Sequence, residues 1–158
     1  MPADNYTSVR PTAGPISSVN APRVQYVEDW FIYDLDITGL AAGGTNNQSI
    51  LIQADSDFKL SKLMLMADIA KAAQTASSRV IPLCTMQIVD SGSGRQLFSN
   101  PVALGALFGD GTLPHILPVP RIFKARSSIS ITTVNYDAAA TYNIRLAFEG
   151  TKLFTLGG

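Results

Sequence analysis

The sequence predicts an all-β domain: an antiparallel β-sandwich, jelly-roll-like, with an extended N-terminal arm ahead of it. Three observations carry this. Apolar and β-branched residues alternate with polar ones in Trp30–Ile37, Ser128–Val134 and Tyr142–Gly150, the two-residue period of a half-buried strand. Clusters of Gly, Asp, Asn and Ser separate these runs, as turns require. Only residues 69–79 have a helical composition, and an isolated helix that short is marginal. About six to eight strands with turn signals between them define a sandwich or jelly roll.

The elements follow in chain order. Residues 1–25 contain Pro2, Pro11, Gly14, Pro15 and Pro22. Proline fixes φ and removes a donor, so neither helix nor central strand is expected there. The segment reads as an arm, with the domain proper at residues 26–158. Tyr6, Val9, Ile16, Val19, Val24 and Tyr26 are apolar anchors that a purely solvated tail does not need. They form the first half of a candidate assembly interface.

The first strand, Trp30–Ile37, sets Phe31, Tyr33, Leu35 and Ile37 on one face and Asp34 and Asp36 on the other. A second is expected at Gln48–Ala54 and a third from Phe58 to about Asp68, with Asp55-Ser56-Asp57 turning the chain between them. Val80–Val89 reads as a fourth strand, apolar on both faces and therefore covered on both. Its Ile81 and Leu83 complete the candidate interface. Asp90–Arg95 is a turn. Asn100 as cap and Pro101 as first residue suggest a short helix to Phe108. Leu113–Pro120, with three prolines, is expected to be extended and irregular. Ser128–Val134 and Tyr142–Gly150 close the domain, joined by a loop long enough for a hairpin.

Composition narrows the function. Charged residues make up only 15% of the 158, below the usual quarter, so the surface is expected both to expose much Ser, Thr, Asn and Ala and to be covered in part by partners. Net charge is formally zero. The densest basic group, Arg121, Lys124 and Arg126, is modest, so no specific nucleic-acid partner is expected. The single cysteine, Cys84, cannot form an intrachain disulfide and reads as a buried inert thiol. Met1–Tyr6 has neither a positive region nor an apolar stretch, so no leader is expected. No run reaches the roughly 18 apolar residues of a membrane span.

The residues offer little for catalysis. His115 is the only histidine, sits between Pro114 and Ile116, and has no Gly-x-Ser-x-Gly companion. One Cys and one His do not make a zinc site within the chain. Asp34/Asp36 and Asp55/Asp57 have the spacing to share a face, as calcium ligands or glycosidase carboxylates must. The first pair reads as a wet strand face and the second as an Asx turn. Neither Gly92/Gly94 nor Gly109-Asp110-Gly111 opens the helix that a phosphate cradle needs. No enzymatic activity, cofactor or metal is expected.

The runs Asp55-Ser56-Asp57-Phe58, Ile88–Arg95, Pro101-Val102 with Leu107-Phe108-Gly109, Leu117-Pro118-Val119-Pro120, and Asn143–Leu146 with Gly150–Phe154 resemble small structural virion proteins of tailed bacteriophages, over roughly residues 28 to 154. The resemblance implies a structural role in the virion, made in the host cytoplasm, with no catalytic residue carried over. Its partners would be copies of itself and a major capsid or neighbouring virion protein. Capsid decoration or cementing is the leading expectation, since it accounts for the arm, the low charge, the doubly apolar fourth strand and the absent chemistry. A head–tail connector, collar or baseplate component is the alternative within that class. A receptor- or carbohydrate-binding fibre module, with Trp30 and Tyr136 as exposed aromatics, is the alternative outside it.

Overall fold

The computed structural model describes residues 26–70 and 79–155. The arm of residues 1–25, with Tyr6, Val9, Ile16, Val19 and Val24, lies outside the described residues, as do residues 71–78 of the segment with helical composition. The elements are β1 (Tyr26–Leu40), β2 (Thr45–Leu51), β3 (Asp57–Ile69), β4 (Cys84–Asp90), β5 (Arg95–Gln96), β6 (Val102–Ala103), α1 (Leu104–Leu107), β7 (His115–Phe123), β8 (Ser128–Asn135) and β9 (Tyr142–Thr155).

These strands form two antiparallel sheets, one in the order β1-β9-β3-β7 and the other β2-β8-β4-β5, with β6 also paired to β4. The pairs nest: β1 with β9, β2 with β8, β3 with β7, and β4 with the short pieces β5 and β6. The chain is thus one long hairpin with its tip at Ser91–Gly94. Rolling that hairpin up adds the pairs β3–β9 and β4–β8. The result is the jelly roll that the sequence predicts.

Strand alternation supplies the core. Tyr33, Leu35 and Ile37 of β1 and Ile144, Leu146 and Phe148 of β9 are buried on one sheet; Met86, Ile88, Ile129 and Ile131 meet them from the other. Tyr33 packs edge-to-face on Phe58, and Phe108 on Phe148, the geometry that ring quadrupoles favour.

β3 contains one extra residue. Leu60 pairs with Gly150 and Lys62 with Glu149, which leaves Ser61 as a bulge, its hydroxyl donating to the Glu149 carbonyl at 3.2 Å. The bulge changes which parity points inward, so Phe58 and Leu60 on one side of it and Leu63 and Ala67 on the other are all buried. The backbones close up at this point. A Cβ on Gly150 would lie 2.1 Å from the Lys59 carbonyl oxygen, so only glycine fits there.

The structure corrects several sequence expectations. The fourth strand starts at Cys84, because Pro82 keeps Val80–Leu83 out of the ladder. It is not doubly apolar: Cys84, Met86, Ile88 and Asp90 face inward, while Thr85, Gln87 and Val89 are half-buried. The outer face is partly covered by the chain's own following segment, where the Gln87 amide donates to the Phe98 carbonyl. The helix begins at Leu104, without Asn100 as its cap, because Val102 and Ala103 first pair with Met86 and Thr85. His115–Pro120 of the expected irregular stretch belong to a true edge strand, β7. The last two strands are not a hairpin, since β8 and β9 lie in different sheets. The second strand runs from Thr45 to Leu51, in register with β8.

At the end of the sandwich where β8 crosses to β9, Asn135 is fully buried. Its amide nitrogen lies 3.1, 3.0 and 2.9 Å from the carbonyls of Leu40, Ala41 and Ala140, and its oxygen accepts the Asp137 N–H at 2.9 Å. One side chain therefore ties the β1–β2 turn to the β8–β9 crossover. Asn135→Ala is expected to destabilise the fold by roughly 3 kcal/mol, since it orphans several buried backbone groups; urea unfolding measures this. Asp137 accepts N–H bonds from Ala140 and Ala139 and the Tyr142 hydroxyl. The Ala140 N–H, the Tyr142 hydroxyl and the Ala139 N–H, in that order, hold its carboxyl down at about 2, against an ordinary 3.8. A depressed carboxylate contributes its stability above the unfolded value and loses it as pH falls through the folded one. Melting temperature is expected to fall from about pH 4 towards about pH 2, with a shallower slope in Asp137→Ala.

Candidate assembly surface

The three described residues of the expected interface are all exposed, but they are not together. Tyr26 is 50% exposed, Ile81 76% and Leu83 63%. Tyr26 starts β1 opposite Thr155. Ile81 and Leu83 lie at the other end of the sandwich, where Cys84 pairs with Asn135 and the Tyr136 N–H donates to the Leu83 carbonyl.

Pro82 is the reason for the second group. Itself buried, it holds the chain extended and turns its neighbours Ile81 and Leu83 outwards. With the exposed ring of Tyr136 they border an apolar cavity of about 530 Å³, walled by Ala103 and Ala106. Ile81 also seats on Gly105, where an added Cβ would come within 2.7 Å of its methyl group. On the far side of Ile81 opens a larger groove of about 910 Å³. Met64, Met66 and Ala147 line it, with Asp34, Asp36 and Arg145 among its polar residues. Methionine side chains adapt to irregular surfaces, so this groove suits contact with another chain.

A third patch escaped the sequence reading. β7 is the outer strand of its sheet, and Leu117–Pro120 loop away from β3: Leu60 pairs with Arg121 and Lys62 with Ile116, leaving four residues opposite one. Leu113, Ile116, Val119 and Ile122 are all exposed here. The signal was present in the apolar residues threaded between Pro114, Pro118 and Pro120. Proline in an apolar extended run marks an edge.

The titratable candidates are engaged in structure. Asp57 accepts Lys124 Nζ at 2.7 Å and the Ala125 N–H at 2.9 Å. Burial raises its pKa, but the Lys124 and Ala125 bonds outweigh this and hold it below the usual value. Asp57 is therefore a tie between distant segments and not a local Asx turn. The Lys152 ammonium, with its side chain largely buried, bonds to Gln53, lies 3.1 Å from Asp55 and sits 4.4 Å from the Phe31 ring centroid. That bond keeps the Asp55 carboxyl low. Asp34 and Asp36 are exposed, as expected of a wet face, with Asp36 3.9 Å from Arg145. Burial and then Asp137 push the Cys84 thiol up to about 11, unreactive at neutral pH. His115 pairs with Leu63 at the start of β7. Among the described residues, no three His, Cys, Asp or Glu side chains gather as a metal group, and no helix is long and apolar enough to cross a membrane.

No known protein family matches the chain, and no curated protein matches it. One similar solved structure is that of dimeric latent PorU from Porphyromonas gingivalis, at 12% identity and a TM-score of 0.39. The match covers 84% of this chain and 13% of that one.

If Ile81 and Leu83 serve the surface alone, Ile81→Ser with Leu83→Ser is expected to change unfolding free energy by less than about 0.5 kcal/mol. Ile131→Ala in the core is expected to cost roughly 2–5 kcal/mol. Paired urea titrations compare them.

Proposed function

We propose that this chain is a structural virion protein that decorates or cements a bacteriophage capsid through protein–protein contacts, both with copies of itself and with a shell subunit. The observation that carries the assembly part is the patch of Ile81, Leu83 and Tyr136. Pro82, itself buried, turns Ile81 and Leu83 to solvent, and with the exposed ring of Tyr136 they border an apolar cavity. Exposed apolar surface that the fold does not need marks a contact site. The virion part is supported by the resemblance carried by the turn and strand residues between 28 and 154. A head–tail connector, collar or baseplate component would use the same contacts at another position.

One observation favours a carbohydrate-binding fibre module as a second reading. Trp30 is 68% exposed, with its indole N–H donating to Glu149 at 3.2 Å. A fixed, open aromatic face is what a sugar ring stacks upon. Quenching of its fluorescence by a glycan panel, lost in Trp30→Ala, tests that reading.

For the main reading, sedimentation at micromolar protein is expected to give a closed oligomer, the default for self-associating chains. Ile81→Asp with Leu83→Asp should shift it to the 16.9 kDa monomer without loss of fold. In averaged density of the particle from which the chain comes, it is expected between shell subunits. Density at the neck instead moves the assignment to the connector, and absence from the particle overturns it.

A further inference from the structure

A sheet edge either blocks another strand or invites one. Among the described residues, three of the edges are blocked or short. β7 has Pro118 and Pro120 and a four-residue protrusion. β2 has seven residues, and β5 and β6 two each. β1 is different. From Tyr26 to Ile37 it keeps unbroken register with β9, and its 15 residues include no proline and no Lys or Arg. Its far end is covered where the Gln48 amide donates to the Asp36 carbonyl at 3.2 Å. Among the described residues no strand pairs with the outer edge of residues 26–34, and Tyr26, Val27 and Trp30 are exposed along it.

We propose that this edge receives residues 3–10 of a neighbouring copy as an added strand. The proposal rests on the self-assembly reading above. Charge chooses the occupant. A second β1 would set Glu28, Asp29, Asp34 and Asp36 against themselves with no cation on either strand, and like charges across a pair destabilise it. Residues 3–10 instead carry one cation, Arg10, and one acid, Asp4, so they bring a cation to the acidic edge and add no net negative charge. Within residues 1–25, Ala3–Arg10 is the longest stretch without proline. Its length matches the open edge, and Tyr6, Thr7 and Val9 suit a strand. Strand addition gains its affinity from main-chain bonds and its specificity from alternate side chains.

The connecting residues 11–25, with Pro11, Pro15 and Pro22, span up to about 50 Å when extended, enough to reach another subunit. Folding back onto the chain's own edge would leave them as an unsupported loop of a length that compact domains rarely keep.

Hydrogen exchange and sedimentation of the full chain, a deletion of residues 3–10, and Thr7→Pro test this. Thr7→Pro keeps the arm's length and removes one main-chain donor. In the full chain at assembling concentration, outward amides of residues 26–34 are expected to exchange at least tenfold more slowly than in either variant, and both variants should sediment as smaller species. Equal protection in all three proteins overturns the proposal. Protection that persists after dilution to monomer also overturns it, since the chain's own arm then holds the edge. An oligomer that survives in both variants overturns strand addition and leaves self-assembly standing. A full chain that sediments only as monomer overturns both.

Discussion

The single extra residue in β3 is the constraint from which much of this molecule follows. β3 is the inner strand between β9 and β7, and Ser61 shifts the register against both. Without the shift, a strand of thirteen residues with Phe58 and Leu60 facing inward would turn Leu63 and Ala67 to solvent. With it, both halves of β3 are buried. The consequences fall on the neighbours. On one side the backbones close so far that position 150 must be glycine. On the other, Leu117–Pro120 of β7 stand out of the sheet opposite Ser61, and this protrusion lies in one of the exposed apolar surfaces.

Polar residues in this chain mostly hold segments together. Asp57 joins β3 to the turn before β8, Lys152 ties β9 to the turn after β2, and Asn135 with Asp137 closes the opposite end. Groups so engaged have little capacity left for ligands. Among the described residues, Ile81, Leu83, Ile116 and Val119 are apolar and exposed, and apolar surface recognises other proteins by area and shape.

The fold was largely legible because its signal is local. Alternation in Trp30–Ile37, Ser128–Val134 and Tyr142–Gly150 depends only on which face meets the core. The sheet to which each strand belongs depends on long-range pairing, so the β8–β9 connection read as a hairpin. The bulge at Ser61 was hidden because Lys59, Ser61 and Lys62 give no parity that separates one register from the other. For the surface, Ile81 and Leu83 were identifiable as apolar residues around a proline. Their distance from Tyr26 was not, because it is set by the roll of the whole hairpin. The β7 patch is not legible in the sequence because three prolines in Leu113–Pro120 predict an extended, irregular segment, whereas an edge strand tolerates them.

The nested pairing also favours an order of assembly for the chain itself. Strands β4 and β5, at the tip, are joined by a turn of four residues, whereas β1 must find β9 across nearly the whole described sequence. Closing a longer loop costs more entropy, and folds dominated by distant pairs fold slowly, on a scale of roughly milliseconds to seconds. Loop closure therefore favours early pairing at the tip over early pairing of β1 with β9. A β9 without β1 would have a bare hydrogen-bonding edge beside the side chains of Ile144, Leu146 and Phe148, which are buried in the folded domain. Newly made chains at high concentration consequently face a kinetic competition between closing their own outer pair and capturing a strand from another chain.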